Sequence, residues 1–184
     1  MFDEQTEKLA KKRGLEICFP SAKMRTSMDN KVNTNRIAEK AGVACVPYVL
    51  SKVNDYEHLR EVSKKLGEDL VIQTPFGDSG HTTFFISNKK EFEKYEEEIV
   101  KEKEVKIMKR INCRLSAMTC VTSHGTIVAP LMTEMVGFPQ LTPYKGGWCG
   151  NEIYADAFTP SIRQKARKYT RLLGDQLRQG LRRF

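Results

Sequence analysis

Leu70-Val71-Ile72-Gln73-Thr74-Pro75-Phe76-Gly77-Asp78-Ser79-Gly80-His81-Thr82-Thr83-Phe84-Phe85-Ile86 carries the strongest structural message in the chain. An apolar run, a polar loop with two glycines and a second apolar run with a β-branched start read as strand, turn and return strand. Gly77 and Gly80 allow the positive φ angles with which successive backbone N–H groups converge on an anion, and Ser79, Thr82 and Thr83 add hydroxyl donors. The loop is not a Walker loop, since no Gly-Lys-Ser/Thr follows and a strand rather than a helix comes next, and it is not G-x-G-x-x-G. By itself the pattern fits a plain hairpin as well as an anion cradle.

Upstream, Glu4 to Arg13 reads as a helix ended by Gly14, and Leu15-Glu16-Ile17-Cys18-Phe19 as a short strand closed by Pro20. Asp29 or Asn30 caps a helix through Ala41, with Gly42 as its stop. Val43 to Leu50 reads as extended around Pro47. Asn54 caps a helix running to Gly67 with Leu59, Val62 and Leu66 on one face. Downstream, Asn88-x-x-Glu91 is a capping box opening a helix to about Val100, and Val105 to Met108 is a strand. Residues 113–122 and 126–135 form two strands joined by Ser123-His124-Gly125. A Gly/Pro-rich loop spans Gly137 to Asn151, and Thr159-Pro160 opens a last helix.

These elements follow an order that resembles the ATP-grasp superfamily, and within it the biotin carboxylase-like carboxylate ligases. The resemblance rests on Asn30-Lys31 followed by Ala38-Glu39-Lys40-Ala41-Gly42-Val43 and Val46-Pro47. It continues through Asp69 to Gly80 and through Val105-Lys106-Ile107-Met108-Lys109-Arg110-Ile111, and so covers nearly the whole chain. It implies an α+β fold with a linking segment (1–44), a small lobe carrying the phosphate loop (45–107) and an incomplete C-terminal antiparallel-sheet lobe (108–184).

The resemblance also implies roles for individual residues. Lys31 would neutralise an α- or β-phosphate of ATP, and the amides of Asp78, Ser79 and Gly80, with Gly77, His81 and Thr82 beside them, would cover the β- and γ-phosphates. Met108, Lys109, Arg110 and Ile111 would carry the adenine. Lys145, Gly146, Gly147 and Glu152 would present the substrate, a small carboxylate or bicarbonate. A solvated helix lysine is the alternative for Lys31, as a place in the core is for Met108 and Ile111. Where the family commonly has a second phosphate-binding lysine, this chain has Gln73, which implies weaker nucleotide affinity or another donor such as Lys106 or Lys109. The family's Mg2+ ligands, a Glu on a late strand and a Glu-x-Asn pair, would follow the terminal helix. The chain is therefore expected to bind nucleotide weakly and turn over little, with no metal ligand of its own.

Composition bounds the remaining readings. A net charge of +8 marks a basic chain, but eight basic residues against the single acid Asp175 put a net of +7 into residues 161–184. The second reading is thus a non-catalytic binding protein that uses this helix, through Arg163, Arg167 and Arg171 with Arg182 and Arg183 beyond, on nucleic acid or an acidic partner. Nucleic acid is the less favoured partner of the two readings, and a homodimer is left open. No apolar run approaches bilayer length and the start is acidic, which places the chain in the cytoplasm without a membrane partner.

The five cysteines are scattered, and Cys113 and Cys120 lie in apolar segments where a thiol is expected to be buried. Cys149 with His124 as a base is a remote option for a nucleophile. Glu134 and Glu152 are carboxylates that no spacing brings together. His58 reads as a helix-surface residue.

Overall fold

A computed structural model describes residues 3–78, 80–112, 115–153 and 158–181, the last two as backbone only. The chain begins with three helices. α1 (Glu4–Lys12) is capped by Asp3, α2 (Ala22–Asp29) by Ser21 and α3 (Lys31–Lys40) by Asn30, whose Oδ1 accepts from the amides of Val32 and Asn33 at 3.0 Å. Glu7 accepts from the Ala22 amide at 3.1 Å and so ties α1 to α2. The expected strand Leu15–Phe19 does not form, and α2 stands where no element was foreseen. Leu15 and Phe19 are exposed, and the Leu15 amide donates back to the Ala10 carbonyl at 3.0 Å, closing the end of α1 rather than opening a strand.

β1 (Tyr48–Ser51), β2 (Leu70–Gln73), β3 (Thr83–Ile86) and β4 (Val105–Lys109) form an antiparallel sheet in the order β1-β4-β2-β3. Between them lie α4 (Tyr56–Val62), α5 (Lys89–Glu93) and α6 (Glu96–Val100). Strand residues alternate between faces. One face sends Leu70, Ile72, Phe84, Ile86, Val105 and Ile107 into the core, where Leu59, Phe92 and Ile99 meet them from the three helices. Asp55 caps α4, one residue later than Asn54 was expected to do so, and α4 ends at Val62. The helix expected from Asn88 to Val100 is split at Tyr95, whose ring stacks on Phe84 at 4.8 Å. Arg36 of α3 holds Glu104, just before β4, through two bonds of 2.7 and 2.8 Å.

A second antiparallel sheet has the order β5-β6-β7, from β5 (Leu115–Val121), β6 (Thr126–Val136) and β7 (Trp148–Glu152). β7 lies within the segment expected to be loop, paired to the last residues of β6. α7 (Pro160–Leu181) packs across β5 and β6. There Gly174 is buried so closely that a Cβ would meet the Thr126 side chain at 2.4 Å, and the Thr126 hydroxyl donates to Asp175 at 2.9 Å. Cys120 is exposed rather than buried, because it stands on the outer edge strand of this sheet, and Cys113 lies outside the described residues. No helix among the described residues is long and apolar enough to cross a membrane.

Ile107, fully buried at the centre of the first sheet, is the position most sensitive to truncation. Ile107→Ala is expected to cost ~2–5 kcal/mol. Lys109→Ala, exposed on the same strand, is expected to stay within ~0.5 kcal/mol of wild type. Urea unfolding followed by circular dichroism measures both.

Candidate functional site

The face of the first sheet that does not meet the core looks across a cleft of about 700 Å³ toward the second sheet. That volume lies within the ~300–1,000 Å³ usual for small-molecule sites. One wall is Val71 and Gln73 of β2, Thr83 and Phe85 of β3 and Met108 of β4. These residues share a face by register, since Gln73 pairs with Thr83, and Val71 with both Phe85 and Met108. The other wall is Glu134 and Val136 of β6 with Trp148 of β7.

Lys31 sits at one end of the cleft, at the first residue of α3. Its amide donates to the Pro75 carbonyl at 2.8 Å and its ammonium to the Gly77 carbonyl, so α3 is locked to the β2–β3 loop by both ends of one residue. Burial lowers the Lys31 pKa, against the pull of Asp78 and Asp29 toward the charged form. Lys106 is likewise lowered, first by burial and further by Lys31, while the Cys45 thiol acts the other way.

Glycine is required twice in the loop. Gly77 has φ +133°, and a Cβ there would overlap the Thr82 side chain at 2.1 Å. Gly80 has φ +81°, and a Cβ would meet the Gly146 carbonyl oxygen at 2.3 Å, so the tip lies against the loop before β7. Two contacts flank that approach. The rings of His81 and Tyr144 lie 4.2 Å apart, and the Gly137 amide donates to the Gly147 carbonyl at 2.8 Å.

Of the expected nucleotide residues, Lys31, Gln73, Gly77, Asp78, Gly80, Met108, Arg110 and Ile111 line the cleft. Ser79 lies outside the described residues. His81 turns toward Tyr144, and the Thr82 side chain packs over Gly77. Lys109 lines a separate depression beside Leu66 to Asp69. The amides of Lys109 and Arg110 already donate to the Pro47 and Asp69 carbonyls at 3.1 Å. A base on this shelf would therefore meet the apolar surfaces of Met108 and Ile111, and backbone groups other than those two amides. Gln73 bonds to the Thr83 hydroxyl at 3.3 Å.

Of the expected substrate residues, Lys145 and Gly146 line the cleft. Lys145 stands 5.8 Å from the Phe85 ring centre and 4.0 Å from Glu91. Gly147 packs against Thr142 instead. Glu152 pairs with Thr133 and Glu134 with Asn151, so the two carboxylates point to opposite faces of the second sheet. Cys149 and His124 lie at opposite ends of the eleven-residue β6, roughly 30 Å apart at strand rise, which excludes them as a catalytic pair. His58 sits on α4, where its Nδ1 accepts from the Asn54 amide at 3.3 Å. Phe85, which carries Arg110 at 5.5 Å over its ring, went unnoticed in the sequence; the alternation of Phe84 and Phe85 was the available signal.

No family model and no curated protein matches the sequence. Solved structures do. The ADP complex of purK, N5-carboxyaminoimidazole ribonucleotide synthetase, is similar to 95% of this chain at TM-score 0.70 and 19% identity, over 44% of its own length. Biotin carboxylase from Campylobacter jejuni matches 95% of the chain at TM-score 0.74 and 15% identity, over 40% of its length. D-alanine–D-alanine ligase from Bacillus anthracis matches 95% at TM-score 0.68 and 14% identity, over 57% of its length. The chain spans about half the length of these proteins. They are ATP-grasp enzymes, and the likeness shows the fold: the chain has the α+β fold of the matched part of these proteins.

Two outcomes follow from this geometry. Gly80→Ala is expected to lower stability by ~1–3 kcal/mol, from strain at positive φ and the clash with Gly146. Gly125→Ala, with open space around it, is the neutral comparison in the same thermal melt.

The second concerns Lys106, whose folded pKa lies below the ordinary 10.5. Between the lowered value and 10.5 the unfolded chain binds more protons, so this residue's contribution to stability improves as pH rises. Lys106→Met is thus expected to be more stable than wild type at pH 7, with the difference shrinking toward pH 10.5. Tyr48, pushed up to about 12 by burial and by Glu39, is common to both proteins and cancels in the difference. A gap that widens with pH would contradict the assignment.

Proposed function

We propose that the cleft holds a nucleoside triphosphate, and that the chain is the ATP-binding part of a ligase that activates a carboxylate or bicarbonate as an acyl phosphate. One observation carries this reading: a single cleft joins Lys31 and the glycine-bearing loop, tied together through the Gly77 carbonyl, to apolar surface from Val71, Met108, Ile111 and Val136. A polyphosphate joined to a flat ring needs both.

In this reading Lys31 neutralises phosphate charge as a point cation, and the backbone of Asp78 and Gly80 orients the outer phosphates. Lys145 and Gly146 face the same cleft from the second sheet, where a small carboxylate would approach. The division into a linking segment (1–44), a small lobe (45–107) and a partial C-terminal lobe (108–184) belongs to the same proposal. Among the described residues no group of three or more His, Cys, Asp or Glu side chains is placed to hold a metal. The residues that line the cleft fit the nucleotide, and Glu134 is the carboxylate among them that could hold a Mg2+ bound through the phosphates. When bound, that ion would supply charge neutralisation on the phosphates.

The rival reading has support in the exposed Lys165, Arg167, Lys168 and Arg171 on α7. A thermal melt with Mg-ATP separates the two. At ten times Kd, ATP is expected to add ~1.4 kcal/mol, a rise of about 3–6 °C, and Gly80→Trp is expected to abolish it. Absence of any rise, together with salt-sensitive RNA or DNA binding lost on neutralising Arg167 and Arg171, would favour the helix instead.

A further inference from the structure

Gly80, Thr83, Phe85 and Lys145 border a second groove as well as the cleft, with a volume of about 620 Å³. Its floor is the outer side of β3, which among the described residues ends the first sheet in the order β1-β4-β2-β3. Lys94, Tyr95 and Glu98 wall it from the α5–α6 junction, and Tyr144 and Lys145 from the loop before β7. Tyr95 and Tyr144 are 37% and 41% exposed, so each wall offers a ring to the groove.

The register decides what the floor presents. The Thr74 amide donates to the Thr82 carbonyl at 3.2 Å, so these opposed residues form a hydrogen-bonded pair, and such pairs alternate with unbonded ones along an antiparallel ladder. Gln73/Thr83 and Val71/Phe85 are therefore unbonded pairs, and the peptide groups of Thr83 and Phe85 point away from β2. The Thr83 amide is taken by the Gly80 carbonyl at 3.2 Å, and beyond Phe85 the Ser87 amide donates to Glu91 at 2.8 Å. The Thr83 carbonyl and both backbone groups of Phe85 have no such partner among the described residues. Thr83–Ile86 contains neither a proline nor a charged side chain, the devices that commonly protect an edge. A strand of four residues has room for a short segment.

We propose that this groove binds an extended peptide segment, which adds to β3 as a further strand of the first sheet. Its backbone bonds to Phe85 and Thr83, and its side chains alternate between the two walls. On the loop side stands Lys145, whose neighbour Glu91 is 4.0 Å away on the opposite wall. So long and exposed a contact contributes little, and an acidic side chain of the peptide is the complement of Lys145. On the helix side, the Tyr95 ring favours an apolar side chain. The site is independent of the nucleotide reading, and its test involves no nucleotide.

The probe is the peptide Val-Glu-Val-Glu-Val, labelled with fluorescein at its N-terminus and amidated at its C-terminus. Fluorescence anisotropy measures its binding and that of two versions, N-methylated on the Glu residues or on the Val residues. An added strand turns every second amide toward β3, so one methylated version is expected to bind at least ~ten-fold more weakly and the other to keep the parent's affinity. In amide NMR spectra, the Phe85 amide is expected to exchange with solvent more slowly once the parent peptide is bound. No binding of the parent, two methylated versions of equal affinity, or a Phe85 amide left unprotected overturns the assignment. So does protection of Phe85 that grows with protein concentration in the absence of peptide, the mark of a second copy on the same edge.

Discussion

The site depends on one constraint, the two-residue period of β2 and β4 in the first sheet. Leu70, Ile72, Val105 and Ile107 must enter the core, and Val71, Gln73 and Met108 are thereby committed to the cleft, with Lys106 on the same face of the sheet. A one-residue slip would exchange the two sets. It would place the Lys106 ammonium under α4, α5 and α6, with no water and no counter-ion, at a cost far above that of exposing Ile107. Apolar burial and charge avoidance therefore select the same register, and the binding face comes as a consequence of the core. The most buried residues thus set the geometry of the least apolar ones.

The cleft is closed by means of a different kind. Gly80 approaches Gly146 backbone to backbone, the Gly137 amide reaches the Gly147 carbonyl, and His81 lies on Tyr144. Phe76, Leu141 and Tyr144, which border these contacts, are exposed. The junction between loop and loop therefore has little apolar burial behind it, in contrast to the eleven-residue core cluster under the first sheet. Segments with few buried contacts open at low free energy.

Much of this was legible in sequence where one residue's neighbours decide its state. The Asn30 cap, the β2–loop–β3 unit and β4 follow from local pattern, because caps, glycines and alternation act over three or four residues. Legibility failed where a distant partner decided. Leu15–Phe19 has the composition of a strand, yet no strand forms there. Trp148–Glu152 has the composition of a loop, with Gly150 inside it, yet β6 offers an edge and β7 forms. Tyr95 breaks a helical stretch because Phe84, from another element, offers its ring a stacking surface. The same division holds for the cleft. Residues 71 to 85 were recognisable as one unit, whereas Glu134, Val136 and Trp148 join them only through the packing of a second sheet.

The cations in and beside the cleft fall into two classes. Lys145 lies near Glu91 and over Phe85, and Arg110 lies over the same ring. Both have partners of the protein's own, a carboxylate or the negative face of an aromatic. Lys31 and Lys106 are set differently, since burial lowers the pKa of each, and Lys31 lowers that of Lys106 further. Asp78 and Asp29 offset this only for Lys31. For Lys106 the opposing influence is the Cys45 thiol, so each lysine keeps its charge against burial with help from a different neighbour.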